Sequence, residues 1–318
     1  MEVPMLETRD LKKYFKVRDG LLHAVDGIDI SIAKGETLGI VGESGCGKST
    51  LGRTVLQLLE PTDGQILFEG TDVSSLNPRE LKATRRNRQI IFQDPYSSLN
   101  PRMSIQELIA EPIIINKIRK SRSEVFSLVA ELMDTVGLDR RLSGSYPHEL
   151  DGGRRQRIGV ARALSVDPKF VVCDEPVSAL DVSIQAQILN LLMDLQDKRG
   201  LTYMFITHDL SVVRHISTNI AVMYLGKCVE LSPSKELFNN PLHPYTQALL
   251  SAIPAPRSDM RHKQVEVLSG EVTSPVNPKP GCRFSARCKH CRDECLQADI
   301  PRIDMGGDHY VSCVLHAR

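Results

Sequence analysis

Residues Gly42 to Thr50 read GESGCGKST and fit the phosphate-binding pattern G-x-x-x-x-G-K-[ST]. Gly42, Gly45 and Gly47 free the backbone to curl, so that successive N–H groups point inward at phosphate oxygens. Glu43, Ser44 and Cys46 fill the variable positions, and Thr50 closes the stretch. Lys48 is placed to reach the β- and γ-phosphates of a nucleotide, and the Ser49 hydroxyl to ligate Mg²⁺. A second group of candidates follows apolar runs. Asp174 and Glu175 come directly after Phe170 to Cys173. In a phosphate-loop protein, a strand-end aspartate holds Mg²⁺ and an adjacent glutamate polarises the attacking water. Gln93 ends the run Ile90 to Phe92, placed to contact Mg²⁺ and water, and His208 follows Tyr203 to Ile206.

These residues need strand tips and helix starts to hold them. Leu38 to Val41 reads as a short buried strand, and Leu51 to Leu59 is apolar at helical spacing. The helix is expected to begin near Lys48 and add its positive N-terminal dipole to the loop. Residues 5–41 alternate in short runs broken at Asp19-Gly20, Asp26-Gly27 and Lys34-Gly35, which suggests an antiparallel sheet. Tyr14 or Phe15 in this region could stack on an adenine ring or simply pack on the sheet face. Further on, strands at Ile90, Phe170, Tyr203 and Ile220 alternate with helical patterns. The helices are expected over Leu76 to Arg88, Ser104 to Gly137 with a break near Pro112, Arg154 to Ser165, and Ser183 to Leu195. This alternation indicates a parallel sheet with helices on both faces, whose strand C-termini converge where ligands bind. From Pro233 prolines recur, and Pro254, Pro256 and Pro275 break any long element, so a boundary is placed near residue 235.

The bulk properties narrow the classes. The chain has 318 residues, room for two domains, and a net charge of +1, which gives no global field toward nucleic acid. No apolar run approaches the ~18–20 residues of a membrane span, and no signal peptide opens the chain, so a cytosolic location is expected. Five of the eight cysteines, Cys282, Cys288, Cys291, Cys295 and Cys313, crowd the tail. In a cytosolic protein such crowding points to metal or iron–sulfur binding before disulfides.

In these motifs the chain resembles the ATP-binding subunit of an ABC transporter, over about residues 5–235. The phosphate loop matches Walker A, FVVCDE at 170–175 Walker B, Gln93 the Q-loop, Ser178 to Asp181 the D-loop, and His208 the switch histidine. Tyr14 matches the adenine-stacking position. FQDPYSSLNPRMS, PVSALDVSIQAQILNLL and NPLHPYTQALLSAIP resemble the oligopeptide and dipeptide importer ATPases, and LGRTVLQLLEPTDG their F-type. The resemblance implies an α/β fold: a RecA-like P-loop NTPase core, an N-terminal antiparallel β subdomain, a helical subdomain over about 94–157, and a cysteine-rich extension over 236–318. It implies hydrolysis of ATP with Mg²⁺, coupled to peptide uptake at the cytoplasmic face of the membrane. Implied partners are a paralogous D-type ATPase in a heterodimer, two transmembrane permeases and an extracytoplasmic solute-binding protein. Nickel and oligosaccharide importers have similar ATPases, and the solute is not written in this chain. No coiled-coil insertion or basic block suggests a DNA- or ribosome-directed ATPase, and no N-K-x-D motif a GTPase.

Two regions depart from a simple match. The ABC signature usually reads LSGGQ, whereas here it is Leu150-Asp151-Gly152-Gly153-Arg154. In the family this segment closes on ATP held by the partner subunit. A carboxylate there would repel the γ-phosphate, by several kcal/mol if dry and about 1 kcal/mol if wet. Asp151 can also cap a helix, and Arg154 and Arg155 can neutralise it, so a tolerated variant and a weakened site both remain open. In the tail, Cys282, Cys288, Cys295 and Cys313 are separated by five, six and seventeen residues. GCRFSARC and HYVSC resemble a family tail that can bind an iron–sulfur cluster, and four thiolates fit [4Fe–4S]. Structural zinc, with His290 or His309 as substitute ligands, and unliganded thiols are the alternatives.

Overall fold

The computed structural model describes residues 3–252 and 273–317, and the expected breaks at Pro254 and Pro256 lie outside them. The chain divides into two compact units. The first takes the chain up to Ile32, Thr37–Ser74 and the chain from Thr207 onward. Its antiparallel sheet runs in the order Gly20–Ile32, Leu6–Val17, Asp63–Phe68, Thr71–Asp72. Val17 pairs with Gly20 and Leu6 with Ile32, so the first two strands form one hairpin. Ile28, Ile30 and Ile32 are buried while Asp29 and Ser31 face solvent, the alternation of a half-buried strand. The expected turn at Asp26-Gly27 is not a turn. Leu11 pairs with Ile28 and Lys12 with Asp26, so Gly27 is an extra residue within the strand. Its φ of +69° makes a bulge that twists the strand without reversing it.

In the same unit, Thr37–Val41 lies parallel to Asn219–Tyr224, which pairs antiparallel with Lys227–Pro233. Every residue of Thr37–Val41 is buried, the continuous apolar run of a strand covered on both faces. The helix after the phosphate loop, Lys48–Val55, ends earlier than its apolar spacing suggested. Gln57 turns left-handed at φ +54°, and the N–H groups of Leu58 and Leu59 bond back to the Arg53 carbonyl. An aromatic core of Tyr224, Tyr245 and Phe284 joins the strand Asn219–Tyr224 to the tail, with ring centroids 4.7–5.3 Å apart.

The second unit, Ala33–Glu36 and Ser75–Ile206, contains three parallel strands, Arg88–Ile91, Phe170–Asp174 and Thr202–Ile206. Its helices start on clear signals. Asn77 with Glu80, Ser104 with Glu107 and Ser121 with Glu124 form capping boxes for Pro78–Arg85, Ile105–Ile115 and Arg122–Thr135. The expected break at Pro112 falls elsewhere: Pro112 lies inside Ile105–Ile115, and the chain turns after Ile115, with Lys117 at φ +52°. Leu108, Ile109 and Ile113 are buried on both sides of the proline, and that packing carries the helix past the missing hydrogen bond. Among the described residues no helix is long and apolar enough to cross a membrane.

Within the first unit, one buried polar knot fastens the tail to the strand Lys227–Pro233. The Glu230 carboxylate accepts the N–H groups of Leu242 and His243 at 2.8 and 2.9 Å, and His309 Nε2 lies 2.7 Å from it. His243 is itself buried, and its Nδ1 accepts the Tyr245 N–H at 3.1 Å, which requires an unprotonated nitrogen. Burial, and then the nearby His316, push the His243 pKa down from 6.5 to about 3. Between those values the unfolded chain binds a proton that the folded chain refuses, so acid removes stability as pH falls below 6.5. Going from pH 7 to pH 5 is expected to cost about 2 kcal/mol through this residue. Urea melts of wild type and His243→Gln at both pH values check it: the variant should lose about 2 kcal/mol less on acidification. Equal losses would place the acid sensitivity elsewhere.

Candidate functional site

In the first unit, the strand Thr37–Val41 delivers the chain into the glycine loop. A Cβ on Gly42 would stand 2.2 Å from the Met223 carbonyl, and one on Gly47 would stand 2.0 Å from the Ala24 carbonyl. Gly47, at φ +104°, caps the N-terminus of Lys48–Val55. Side-chain atoms are thus excluded where the loop must lie close to two neighbouring strands. Lys48 is buried, and its ammonium donates to the Gly42 and Glu43 carbonyls at 2.8 and 2.9 Å. The backbone N–H of Glu43 donates to the Tyr245 hydroxyl at 2.9 Å. The Glu43 carboxylate is held by both terminal nitrogens of Arg287, at 2.8 and 3.0 Å.

Tyr14 sits in a second polar group of the same unit. Its ring stacks on His23, with centroids 3.9 Å apart and 21° between planes. Its hydroxyl donates to Asp26 at 2.5 Å, and His23 Nδ1 lies 3.2 Å from the same carboxylate. Arg283 pairs with Asp26, and Lys227 lies 3.6 Å away. Burial pushes the Asp26 carboxyl up, but Tyr14, Lys227, His23 and Arg283 together hold it below its ordinary value. Burial and the Asp26 hydrogen bond raise the Tyr14 phenol, which therefore stays a donor. His208, in this unit, is exposed.

The second unit carries the carboxylates. Asp174 is buried at the end of Phe170–Asp174. Glu175 adopts φ +47°, and its N–H bonds to the Ile206 carbonyl at 2.9 Å. Gln93 donates from Nε2 to the Glu175 carboxylate at 2.8 Å, so these two residues, 82 apart in sequence, are brought together. Asp151 caps the helix Gly152–Leu164 by accepting the Arg154 N–H at 2.8 Å, and the Arg154 guanidinium lies 3.4 Å from its other oxygen. Arg155, the other candidate for neutralising it, is turned away: it donates to the Pro147 carbonyl at 2.7 Å and lies over the Tyr96 ring. Gly152 and Gly153 pack against the stretch that begins with Ser178 to Asp181. A Cβ on either would stand 3.0 Å from Leu180 or 2.7 Å from Ile184. Asp181 is exposed ahead of the helix Val182–Arg199.

The five tail cysteines are free thiols, as are Cys46, Cys173 and Cys228. Burial, and then the neighbouring thiols of Cys295, Cys313 and Cys288, push Cys282 up to about 12. The four expected ligands are therefore near enough to feel one another's charge, and Cys295 and Cys313 are buried. Their soft donor chemistry suits iron or zinc. Their spacing does not yet make a ligand set: among the described residues no three His, Cys, Asp or Glu side chains converge to hold a metal ion.

Sequence reasoning missed His23, Asp26, Tyr245, Arg283 and Arg287. Only His23 had a signal, since counting outward from the Val17–Gly20 turn pairs it with Tyr14. The two arginines lie more than 240 residues from the groups they hold.

Comparison with known proteins agrees with this geometry. Residues 25–178 match the ABC transporter family, and residues 229–295 match the C-terminal region of oligopeptide/dipeptide transporters. The chain is 52% identical to the oligopeptide transport ATP-binding protein AppF of Bacillus subtilis, covering 98% of each chain. It is 47% identical to the dipeptide transport ATP-binding protein DppF of Escherichia coli, over 98% of this chain and 95% of that one. Among solved structures, the ATP-binding cassette MJ0796, a post-hydrolysis dimer bound to ADP and Pi, superposes with a TM-score of 0.67. It is 28% identical, over 72% of this chain and 99% of that one. The chain therefore belongs to the ABC transporter family, among the ATP-binding proteins of oligopeptide and dipeptide transport.

Proposed function

We propose that this subunit hydrolyses ATP to ADP and phosphate and couples that reaction to uptake of di- or oligopeptides. The observation that carries the reading is the hydrogen bond from Gln93 to Glu175, which joins the water-positioning amide to the candidate base. The phosphates belong on the loop Gly42–Thr50, with Lys48 countering their charge and the adenine against Tyr14. Ser49, Asp174 and Gln93 would hold Mg²⁺, which would supply positive charge against the triphosphate. Glu175 takes the proton of the attacking water, and His208 contacts the γ-phosphate. Asp151, Gly152 and Gly153 face ATP bound by the partner subunit, and Asp181 of the D-loop joins the nucleotide-binding residues.

The division into an ATPase domain ending near residue 235, with a helical subdomain over about 94–157, and an extension from 236 follows the family motifs. The partners are a paralogous D-type ATPase, two permeases and an extracytoplasmic binding protein, which sets this chain at the cytoplasmic face. The stretch from Tyr96 to Pro101, in which Tyr96, Ser97, Asn100 and Pro101 are exposed and Leu99 is buried, receives a permease helix. In the tail, Cys282, Cys288, Cys295 and Cys313 hold a structural [4Fe–4S] cluster. Structural zinc, with His290 or His309 as a substitute ligand, is the alternative occupant of these thiols.

Three measurements check this. Glu175→Gln is expected to bind ATP and to lower turnover by about 10²–10⁴-fold in the assembled transporter. Turnover near wild type would remove Glu175 from the role of base. Protein purified without oxygen is expected to be brown and to contain iron, and Cys291→Ser to stay brown. Stoichiometric zinc without iron would overturn the cluster. Finally, in a heterodimer with one glutamate base inactivated at a time, Asp151→Ser should alter hydrolysis at the partner's site alone. A change at the site built on Lys48 and Glu175 would contradict the head-to-tail arrangement.

A further inference from the structure

The segment Cys282 to Cys288 reads CRFSARC, and both its arginines leave the cysteine-rich region for the first unit's polar groups. Arg283 pairs with Asp26, which holds the Tyr14 hydroxyl and lies beside His23. Arg287 takes the Glu43 carboxylate in a two-pronged ion pair inside the phosphate loop, at 2.8 and 3.0 Å. Between them, Phe284 is buried in the aromatic core against Tyr224 and Tyr245. The Arg287 side chain is 7% exposed and that of Glu43 28%, so water screens this pair less than a surface pair. Arg287 also donates to the Tyr224 hydroxyl at 3.3 Å.

Glu43 is an awkward residue for its place. It puts a full negative charge into a loop whose chemistry is to receive a polyanion. It also supplies its carbonyl to the Lys48 ammonium and its N–H to Tyr245. A free carboxylate there would repel phosphate and pull Lys48 toward itself. The guanidinium fork cancels the charge and fixes the side chain by two parallel bonds.

We propose that Arg287 is a positioning residue for ATP: by neutralising and fixing Glu43 it sets the phosphate loop, so the cysteine-rich tail acts on nucleotide affinity through one ion pair. The inference rests on Gly42–Thr50 being the triphosphate site. It assigns the tail a direct influence on the nucleotide, because Arg287 is covalently next to Cys288, and Arg283 next to Cys282.

The test is equilibrium binding of a fluorescent ATP analogue to the full chain, with a thermal melt of each variant. Arg287→Ala is expected to weaken binding about tenfold in the wild-type background and less than twofold when Glu43→Gln is already present. Arg287→Lys, which keeps charge and stem but loses the fork, should weaken it about threefold and serves should the alanine variant fail to fold. Equal losses in the wild-type and Glu43→Gln backgrounds, or no loss in Arg287→Ala or Arg287→Lys, would overturn the proposal. Lys48→Ala separates the two readings. If binding survives it, the loop is not the triphosphate site and both readings fall. If binding is lost with Lys48→Ala yet unmoved by the Arg287 variants, only the inference about Arg287 falls.

Discussion

The phosphate loop has no room for side chains at two of its glycines, and much else in the first unit answers to that constraint. Gly42 passes within a Cβ's reach of the Met223 carbonyl and Gly47 within that of Ala24. The loop is therefore wedged between the N-terminal hairpin and the strand Asn219–Tyr224. Any shift of either strand would move the loop's amides. The Glu230 knot and the Tyr224–Tyr245–Phe284 core stiffen that wedge, since they tie the strands Asn219–Tyr224 and Lys227–Pro233 to the tail. Donors fixed before the ligand arrives need no reorganisation when charge builds up on it.

The signature segment shows how a change that breaks a family pattern can keep the local physics. Serine and aspartate both accept an N–H at a helix start, and Asp151 does so for the helix Gly152–Leu164. Its extra charge is met by Arg154 at 3.4 Å, in a pair about half exposed on each side and so well screened. The two glycines matter for another reason. They let the helix start lie against Leu180 and Ile184, where a methyl group would collide.

What was legible in the sequence was whatever depends on neighbours in the chain. The loop glycines, the strand tips before Asp174 and His208, and the helix starts at Asn77, Ser104 and Ser121 follow local rules of backbone freedom and capping. Errors arose where distant packing decided. Pro112 stays helical because buried residues flank it, and Gly27 bulges a strand instead of turning it because the pairing with Leu6–Val17 continues on either side of it. The helix after the loop stops at Val55 despite apolar residues beyond it. Arg283 and Arg287 were out of reach altogether, since no spacing rule connects a tail arginine to a carboxylate more than 240 residues earlier. Tyr14 is intermediate: its motif position was readable, its partner Asp26 was not.

The backbone at Glu175 has a further consequence, for stability. Its φ of +47° is a left-handed conformation that costs a glutamate roughly 1–2 kcal/mol. The residues at ease there are glycine, asparagine and aspartate, and none of them places a carboxylate at the same reach. Local stability and chemistry thus favour different residues at this one position. A substitution that relaxes the backbone there removes the Glu175 carboxylate and its hydrogen bond from Gln93. With Glu175 as the proposed base, this position is one where relief of backbone strain and loss of turnover go together, so greater stability there would come at the cost of chemistry.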